Sequence, residues 1–154
     1  MGFLSFLKPA AKQQDDSPWQ EETFSVVGVD YCMTGIKKLA EANPDWKLPA
    51  KALAEQDKLM HKIFRYNFIH KPLELIPEPS NPHDKNALMV QINGQKVGYI
   101  SREENVHVKK ILKQRRILFT SAFISGGEYK VVSQNGDTVK NEQHIRITVK
   151  IRYQ

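Results

Sequence analysis

Apolar residues alternate with polar ones along most of the chain, which is the pattern of half-buried β-strands. A first strand is predicted around Phe24 and Val26. Asn93-Gly94, a strong signal for a tight hairpin turn, separates the apolar stretches 87–92 and 96–100. Further strands are predicted over residues 65–76, 117–124, 129–133 and 145–153, with turns at Gly126-Gly127 and Asn135-Gly136. The chain is therefore expected to be mainly β.

Two stretches have the spacing of helices. Residues 34–64 are predicted to form a helical insertion between the first two strands, with a break at Asn43-Pro44-Asp45 between its two helices. Ser101 and Glu104 have the spacing of a capping box, and they predict a helix that ends near Gln114. These elements predict an α+β fold built on a small OB-like β-barrel of about six strands. A β-sandwich fits the same pattern.

The length and composition favour one domain. Residues 9–20 are polar and contain two prolines, so residues 1–20 are predicted to be a flexible leader and residues 21–154 a single domain. No apolar run approaches the roughly 18 residues that a membrane-spanning helix needs. The single cysteine, Cys32, cannot form an internal disulfide, which favours a reducing compartment, and we expect a cytoplasmic protein.

The charge is distributed unevenly along the chain. Residues 1–60 contain 7 Lys/Arg and 9 Asp/Glu, a net charge of −2. Residues 61–154 contain 16 Lys/Arg and 8 Asp/Glu, a net charge of +8. This asymmetry indicates a polyanion-binding surface in the C-terminal part of the chain. Ordinary solvation of a basic protein is the alternative explanation.

The most informative segment is 78–102, with the sequence EPSNPHDKNALMVQINGQKVGYISR. Asn81-Pro82-His83-Asp84 predicts a turn in which Asn and Asp side chains bind their own backbone. The predicted hairpin behind this turn is rigid, and residues 99–102 return alongside it. An imidazole, a carboxylate and a guanidinium are therefore expected to converge on one surface, with His83 and Asp84 directed outward.

This segment resembles the HIRAN domain family. Three stretches carry the resemblance, which is specific over 78–102 and extends over 22–133: Val27-Gly28-Val29-Asp30-Tyr31, Glu78-Pro79-Ser80-Asn81-Pro82-His83-Asp84-Lys85-Asn86-Ala87 and Val97-Gly98-Tyr99-Ile100-Ser101-Arg102. The resemblance implies an OB-like barrel that binds single-stranded DNA. In relatives at the front of SNF2-type remodelling ATPases, such a domain captures the 3′ end of a DNA strand.

The resemblance also implies roles for individual residues. Tyr31 would stack on the terminal base, and Asp84 would accept a hydrogen bond from the 3′-hydroxyl. His83 occupies the second ring position, and Tyr99 and Arg102 would flank the nucleotide. The other candidate contacts are polar or basic residues of the motif and the following helix: Lys85, Asn86, Lys109 and Lys113. The chain departs from the family pattern in two places. Asp30 stands where relatives have a basic residue that would bind phosphate, and residues 34–64 form the predicted helical insertion.

Lys109, Lys113 and Arg116 are spaced to share one face of the predicted helix. That face is either simply solvated or a ridge of phosphate contacts.

We expect a non-catalytic DNA-binding module for single-stranded DNA, with free 3′ ends as a narrower hypothesis, in DNA repair, replication or remodelling in a bacterium or phage. A protein-interaction module that uses the helical insertion as its contact surface is the alternative. A metal-dependent nuclease is a weaker third hypothesis, because Gly94-Gln95 precedes Lys96 where such enzymes need a second carboxylate. The five histidines lack metal-ligand spacing, and neither a metal nor a cofactor is expected.

Overall fold

The computed structural model describes residues 18–68 and 71–154. Within these residues the fold is mostly β with a few helices. The strands are β1 (Gln20–Val27), β2 (Ala40–Ala42), β3 (Ile63–Phe64), β4 (Tyr66–Phe68), β5 (Leu73–Pro77), β6 (Leu88–Ile92), β7 (Gln95–Ile100), β8 (Ile117–Val132) and β9 (Thr138–Tyr153). The α-helices are α1 (Met33–Leu39), α2 (Ala50–Glu55) and α3 (Asn105–Gln114), and short 3₁₀ helices cover Val29–Cys32 and Pro44–Lys47.

Seven of the strands form one antiparallel sheet in the order β3-β8-β9-β1-β7-β6-β5, and β2 pairs with β4 in a separate ribbon. The sheet is curled, and β5 approaches β8 to within 8 Å between Cα atoms without pairing with it. The described residues therefore form no closed barrel, and the predicted six-stranded OB-like barrel is not confirmed. β8 and β9 are also longer than expected, at 16 residues each, and only residues 148–153 of β9 pair with β1.

β1 joins the two halves of the sheet. Its residues from Gln20 to Ser25 pair with β9, and Val26 and Val27 then pair with β7. At this change of partner the backbone N–H of Ser25 donates to Oε2 of Glu104 (2.9 Å), and the Ser101 hydroxyl donates to the same oxygen (2.7 Å). Ser101 and Glu104 thus interact, but Glu104 is itself the N-cap residue of α3 and its carboxylate bonds β1. The predicted capping box is wrong in this respect.

The main core lies on the inner face of the curled sheet, against α1 and α3. Alternate residues of the central strands are buried there, as expected for a sheet with one wet face. The core cluster takes from β1, β7, β9 and α3 the buried apolar residues Phe24, Val26, Val97, Ile100, Ile147, Val149, Ile151, Tyr153, Val108 and Ile111. A second, smaller cluster of Leu53, Ile63 and Val132 stabilises the far end of the β8–β9 hairpin. We call that far end, with α2 and β3, the arm.

The predicted helical insertion is only partly helical. It contains α1 and α2, but also β2, and its second helix ends at Glu55 although the apolar pattern continued to Phe64. Asp57 and Met60 have positive φ angles of 57° and 64°, and the backbone N–H of Met60 donates to the carbonyl of Val132 (2.8 Å). The chain turns back onto the β8–β9 hairpin here, because this hydrogen bond satisfies the Met60 N–H and Ile63 is buried against Val132.

The three predicted turns have different outcomes. The hairpin turn at Asn93-Gly94 and the turn around Asn135-Gly136 are confirmed. Gly126-Gly127 forms no turn; it lies inside β8 at a shift of register with β9, so the strands predicted on either side are one. A Cβ at Gly126 would lie 2.4 Å from the carbonyl oxygen of His144, so glycine allows this close approach. Of the strand predicted over 65–76, residues 69 and 70 lie outside the described residues, as do residues 1–17 of the predicted leader.

Replacing Gly98 by Ala should destabilise the fold more than replacing Gly94 by Ala. Both residues have positive φ, but a Cβ at Gly98 would lie 2.4 Å from the Val27 carbonyl oxygen, whereas at Gly94 nothing lies within 4 Å. We expect Gly94→Ala to lower the free energy of unfolding by about 1–2 kcal/mol, the cost of left-handed backbone. Gly98→Ala should cost about 3 kcal/mol or more. Urea unfolding checks this, and equal losses would contradict a close contact between β1 and β7.

Candidate nucleic-acid interface

The loop between β5 and β6 is built around Asn81. Its Oδ1 accepts hydrogen bonds from the backbone N–H groups of His83 (2.9 Å) and Asp84 (3.1 Å). Its Nδ2 donates to Oε2 of Glu78 (3.1 Å). The predicted Asx turn is therefore confirmed, and it fixes the backbone from which the His83 and Asp84 side chains project.

The Asp84 carboxylate is held at both oxygens. Oδ1 accepts from the backbone N–H of Asn86 (2.9 Å), and Oδ2 accepts from Nδ2 of Asn105 at the start of α3 (2.8 Å). These two bonds, in that order, lower the pKa of Asp84, and the charges of Arg102 and Lys109 add to the effect. The side chain is 19% exposed, so it points outward less than predicted. It leans against α3 because the amide of Asn105 stabilises its charge.

Arg102 closes the loop from the other side. Its Nη2 donates to the carbonyl oxygen of His83 (2.6 Å), and its Nε lies 3.8 Å from Oδ2 of Asp84. The guanidinium is 69% exposed and His83 is exposed as well. The structure therefore brings His83, Asp84 and Arg102 onto one surface, and leaves the cation accessible to an anion from solvent.

Tyr99 belongs to a polar chain behind this loop. Its hydroxyl donates to Oε2 of Glu78 (2.8 Å) and accepts from Nζ of Lys96 (2.8 Å). The Lys96 ammonium also lies 4.5 Å from the centre of the Tyr99 ring, and the bond to Tyr99 raises the pKa of Lys96. Hydrogen bonds from Asn81 and Tyr99 lower the pKa of Glu78. The Tyr99 hydroxyl is thus held between Glu78 and Lys96, which suits a supporting role beside the loop.

Tyr31 lies elsewhere on the surface. It follows β1 in the first 3₁₀ helix and is 95% exposed. It lines an open groove of about 600 Å³ between the end of β1 and residues 144–148 of β9. Asp30 in the same groove lies 3.6 Å from Nε2 of His144, and no residue of the 81–84 loop lines the groove. The structure therefore does not bring Tyr31 into contact with the loop.

The remaining candidate cations are distributed unevenly. Lys109 lies in the first half of α3, and its charge helps to lower the pKa of Asp84. Lys113 is exposed near the end of the helix. Arg116 lies beyond the helix and pairs through its backbone with Gln154, so the predicted three-residue ridge is wrong at that position. Lys85 is exposed on the loop and Asn86 contributes its backbone N–H to Asp84.

Asn105 was missed by the sequence analysis. It is 1% exposed, and while its Nδ2 bonds Asp84, its Oδ1 has no hydrogen-bond partner among the described residues. A buried amide with one unsatisfied oxygen is costly, so its bond to Asp84 has to compensate. The available signal was an Asn in the first turn of a helix that directly follows the motif.

The sequence model of the HIRAN domain matches residues 59–150, more than half of the chain, including all of Glu78–Arg102. The chain belongs to the HIRAN domain family. HIRAN domains are generally DNA-binding modules and are typically non-catalytic. No match was found among curated proteins or among solved structures.

The family match begins after Tyr31, so the stretch Val27-Gly28-Val29-Asp30-Tyr31 lies outside it. In the described part of this HIRAN protein, no group of three or more His, Cys, Asp or Glu side chains is arranged to hold a metal ion. None of the described helices has the length and apolar character to cross a membrane.

Replacing Asn105 by Leu should raise the pKa of Asp84 toward its ordinary value, because it removes the buried amide that donates to Oδ2 of the carboxylate at 2.8 Å. Arg102→Gln should raise it less, because the Arg102 guanidinium is 69% exposed and its Nε lies 3.8 Å from Oδ2 of Asp84, beyond hydrogen-bond distance. The carboxyl ¹³C shift of Asp84 measured against pH gives both values. A smaller effect of Asn105→Leu than of Arg102→Gln would contradict the geometry described here.

The same carboxylate links stability to pH. Because the folded pKa of Asp84 is lowered, its contribution to stability is complete above the unfolded pKa and is lost as the pH falls through the folded value.

Proposed function

We propose that this HIRAN domain binds single-stranded DNA at a free 3′ end, with the 81–84 loop as its contact point. The observation that carries the proposal is the Asp84 carboxylate, which is ionised, positioned at both oxygens and partly open to solvent beside Arg102. Each carboxylate oxygen accepts one internal bond and keeps a further lone pair. A hydroxyl from a strand end fits that free acceptor position.

The surroundings of Asp84 favour a nucleotide over a neutral alcohol. Arg102 is exposed and Lys109 lies on the adjoining turn of α3, so two cations lie beside the carboxylate. A terminal nucleotide offers a hydroxyl donor and a phosphate a few ångströms apart, which matches this pairing of charges. The exposed His83 ring supplies a stacking surface next to the carboxylate.

Tyr31, Lys85 and Lys113 have secondary roles in this proposal. Tyr31 is a 95% exposed ring in the 3₁₀ helix that follows β1, and we take it to contact a base further along the strand. Lys85 and Lys113 are exposed cations that neutralise phosphates without selecting bases. We include in this proposal a role in DNA repair, replication or remodelling, where free strand ends arise.

A protein-interaction function has one observation in its favour. The arm exposes two apolar side chains, Met60 (58%) and Val139 (65%), away from the loop. Isolated exposed apolar residues are common on soluble proteins, so this observation is weaker than the arrangement around Asp84.

Replacing Asp84 by Asn should weaken binding of a short strand with a 3′-hydroxyl by about 10- to 100-fold, because a charge-assisted bond to the hydroxyl is worth roughly 1.5–3 kcal/mol. Fluorescence anisotropy on three substrates measures this: a 3′-hydroxyl strand, the same strand with a 3′-phosphate, and a circular single strand. The wild type should prefer the first, and the variant should bind all three alike.

The control is Asp57→Asn, which removes an exposed carboxylate on the arm at a position with positive φ that Asn tolerates. It should leave all three affinities unchanged. Wild-type protein that binds the three substrates equally would exclude end recognition and leave a general single-strand binder. Absence of binding to any of them would refute the proposed function.

A further inference from the structure

The outer face of β1, β8 and β9 is unusual for a wet sheet surface. Its residues alternate with those of the main core and share one side of the sheet. Two of its positions on β8 are exposed aromatic residues, Phe119 (48%) and Phe123 (69%). On β9 the corresponding positions include three cations, Arg146, Lys150 and Arg152. We call this surface the outer face.

Strand pairing places these side chains in rows. Phe123 of β8 pairs with Thr148 of β9, and Thr148 pairs with Ser25 of β1. One row across the three strands therefore consists of an aromatic ring and two hydroxyl groups. Phe119 pairs with Arg152, so a second row joins a ring and a cation. The two phenylalanines are four residues apart in regular pairing, which is about 13 Å along the strand at about 3.3 Å per residue. That separation suits rings contacting different bases of an extended strand.

The balance of charge on the outer face is positive. Glu21 is engaged by Lys150 (2.9 Å) and Arg152 (2.8 Å), two cations for one carboxylate. Arg146 is also exposed, and it lies where the outer face meets the Tyr31 groove. Asp30 is the opposing charge at that end, and it lies 3.6 Å from His144. A polyanion would meet net positive charge and aromatic rings here, whereas a second apolar protein surface would have to bury these cations.

The outer face is continuous with the groove that holds Tyr31. Thr148, Ser25 and Arg146 line that groove, and the first two form a row with Phe123. A strand that passes Tyr31 therefore reaches Phe123 without leaving the sheet.

We propose that the outer face binds the nucleotides that precede the terminal one, with Phe123 stacking on a base and Arg146 contacting a phosphate. The proposal rests on the proposed function, because it takes the strand end to lie at the 81–84 loop. It extends that function by making affinity depend on the length of single-stranded DNA and by placing the longer strand on β8 and β9.

The test compares two oligonucleotides with 3′-hydroxyl ends, three and ten thymidines long, by fluorescence anisotropy. The wild type should bind the ten-nucleotide strand more tightly. Phe123→Ala should weaken that binding about 5- to 100-fold, the usual effect of losing one stacked base, and change binding of the short strand less than about two-fold. Phe123→Trp should restore the affinity. Arg146→Gln should reduce the salt slope of the ten-nucleotide strand by about 0.7.

Val139→Ala is the matched control, since Val139 is an exposed apolar residue of β9 on the arm (65%) and should change neither affinity. Equal wild-type affinity for the two lengths, or an unchanged affinity of Phe123→Ala, would overturn the inference while leaving end recognition intact. A wild-type dimer in sedimentation that Phe123→Ala dissociates would also overturn it, because the outer face would then be a protein interface. Failure to bind either strand would refute the proposed function together with the inference.

Discussion

The change of partner by β1 is the constraint on which the rest of the structure depends. A strand that leaves one neighbour for another exposes backbone polar groups at the point of divergence, and these need new partners. Ser25 occupies that point; its carbonyl accepts from the backbone N–H of Ser101 (3.1 Å), and its own N–H donates to Glu104. One short segment between β7 and α3 thereby satisfies the junction and joins the two halves of the sheet.

The candidate site follows from this junction. Because Glu104 is tied to β1, α3 begins directly behind the 81–84 loop, and its first residue, Asn105, reaches Asp84. Arg102 leaves the same segment and bonds the His83 carbonyl. The carboxylate and the guanidinium are thus positioned by one segment, and the carboxylate is supported by the Asn105 amide, which does not face solvent. Such support from outside the contact residues is what holds a binding geometry rigid.

Local features could be predicted from the sequence, and long-range ones could not. The Asn81 turn and the Asn93-Gly94 hairpin were predictable because their bonds join residues two or three apart. Glu104 bonds Ser25 across 79 residues, so its sequence position suggested a helix cap instead. Gly126-Gly127 predicted a turn, but whether glycines end a strand or bend it depends on the facing strand. The limited exposure of Asp84 depends on its bond with Asn105, 21 residues later, and no local pattern indicates that bond.

The most direct test of the account is an amide NMR titration of the full chain with a short single strand that carries a 3′-hydroxyl. The account predicts that the shift changes concentrate in residues 81–86 and 102–109, weaken toward residues 28–31, and leave Leu53, Ile63 and Val132 of the arm unaffected. Shift changes confined to the arm, or none at saturating strand concentration, would contradict the claim that the loop held by Asn81 and Asn105 is where this protein meets DNA.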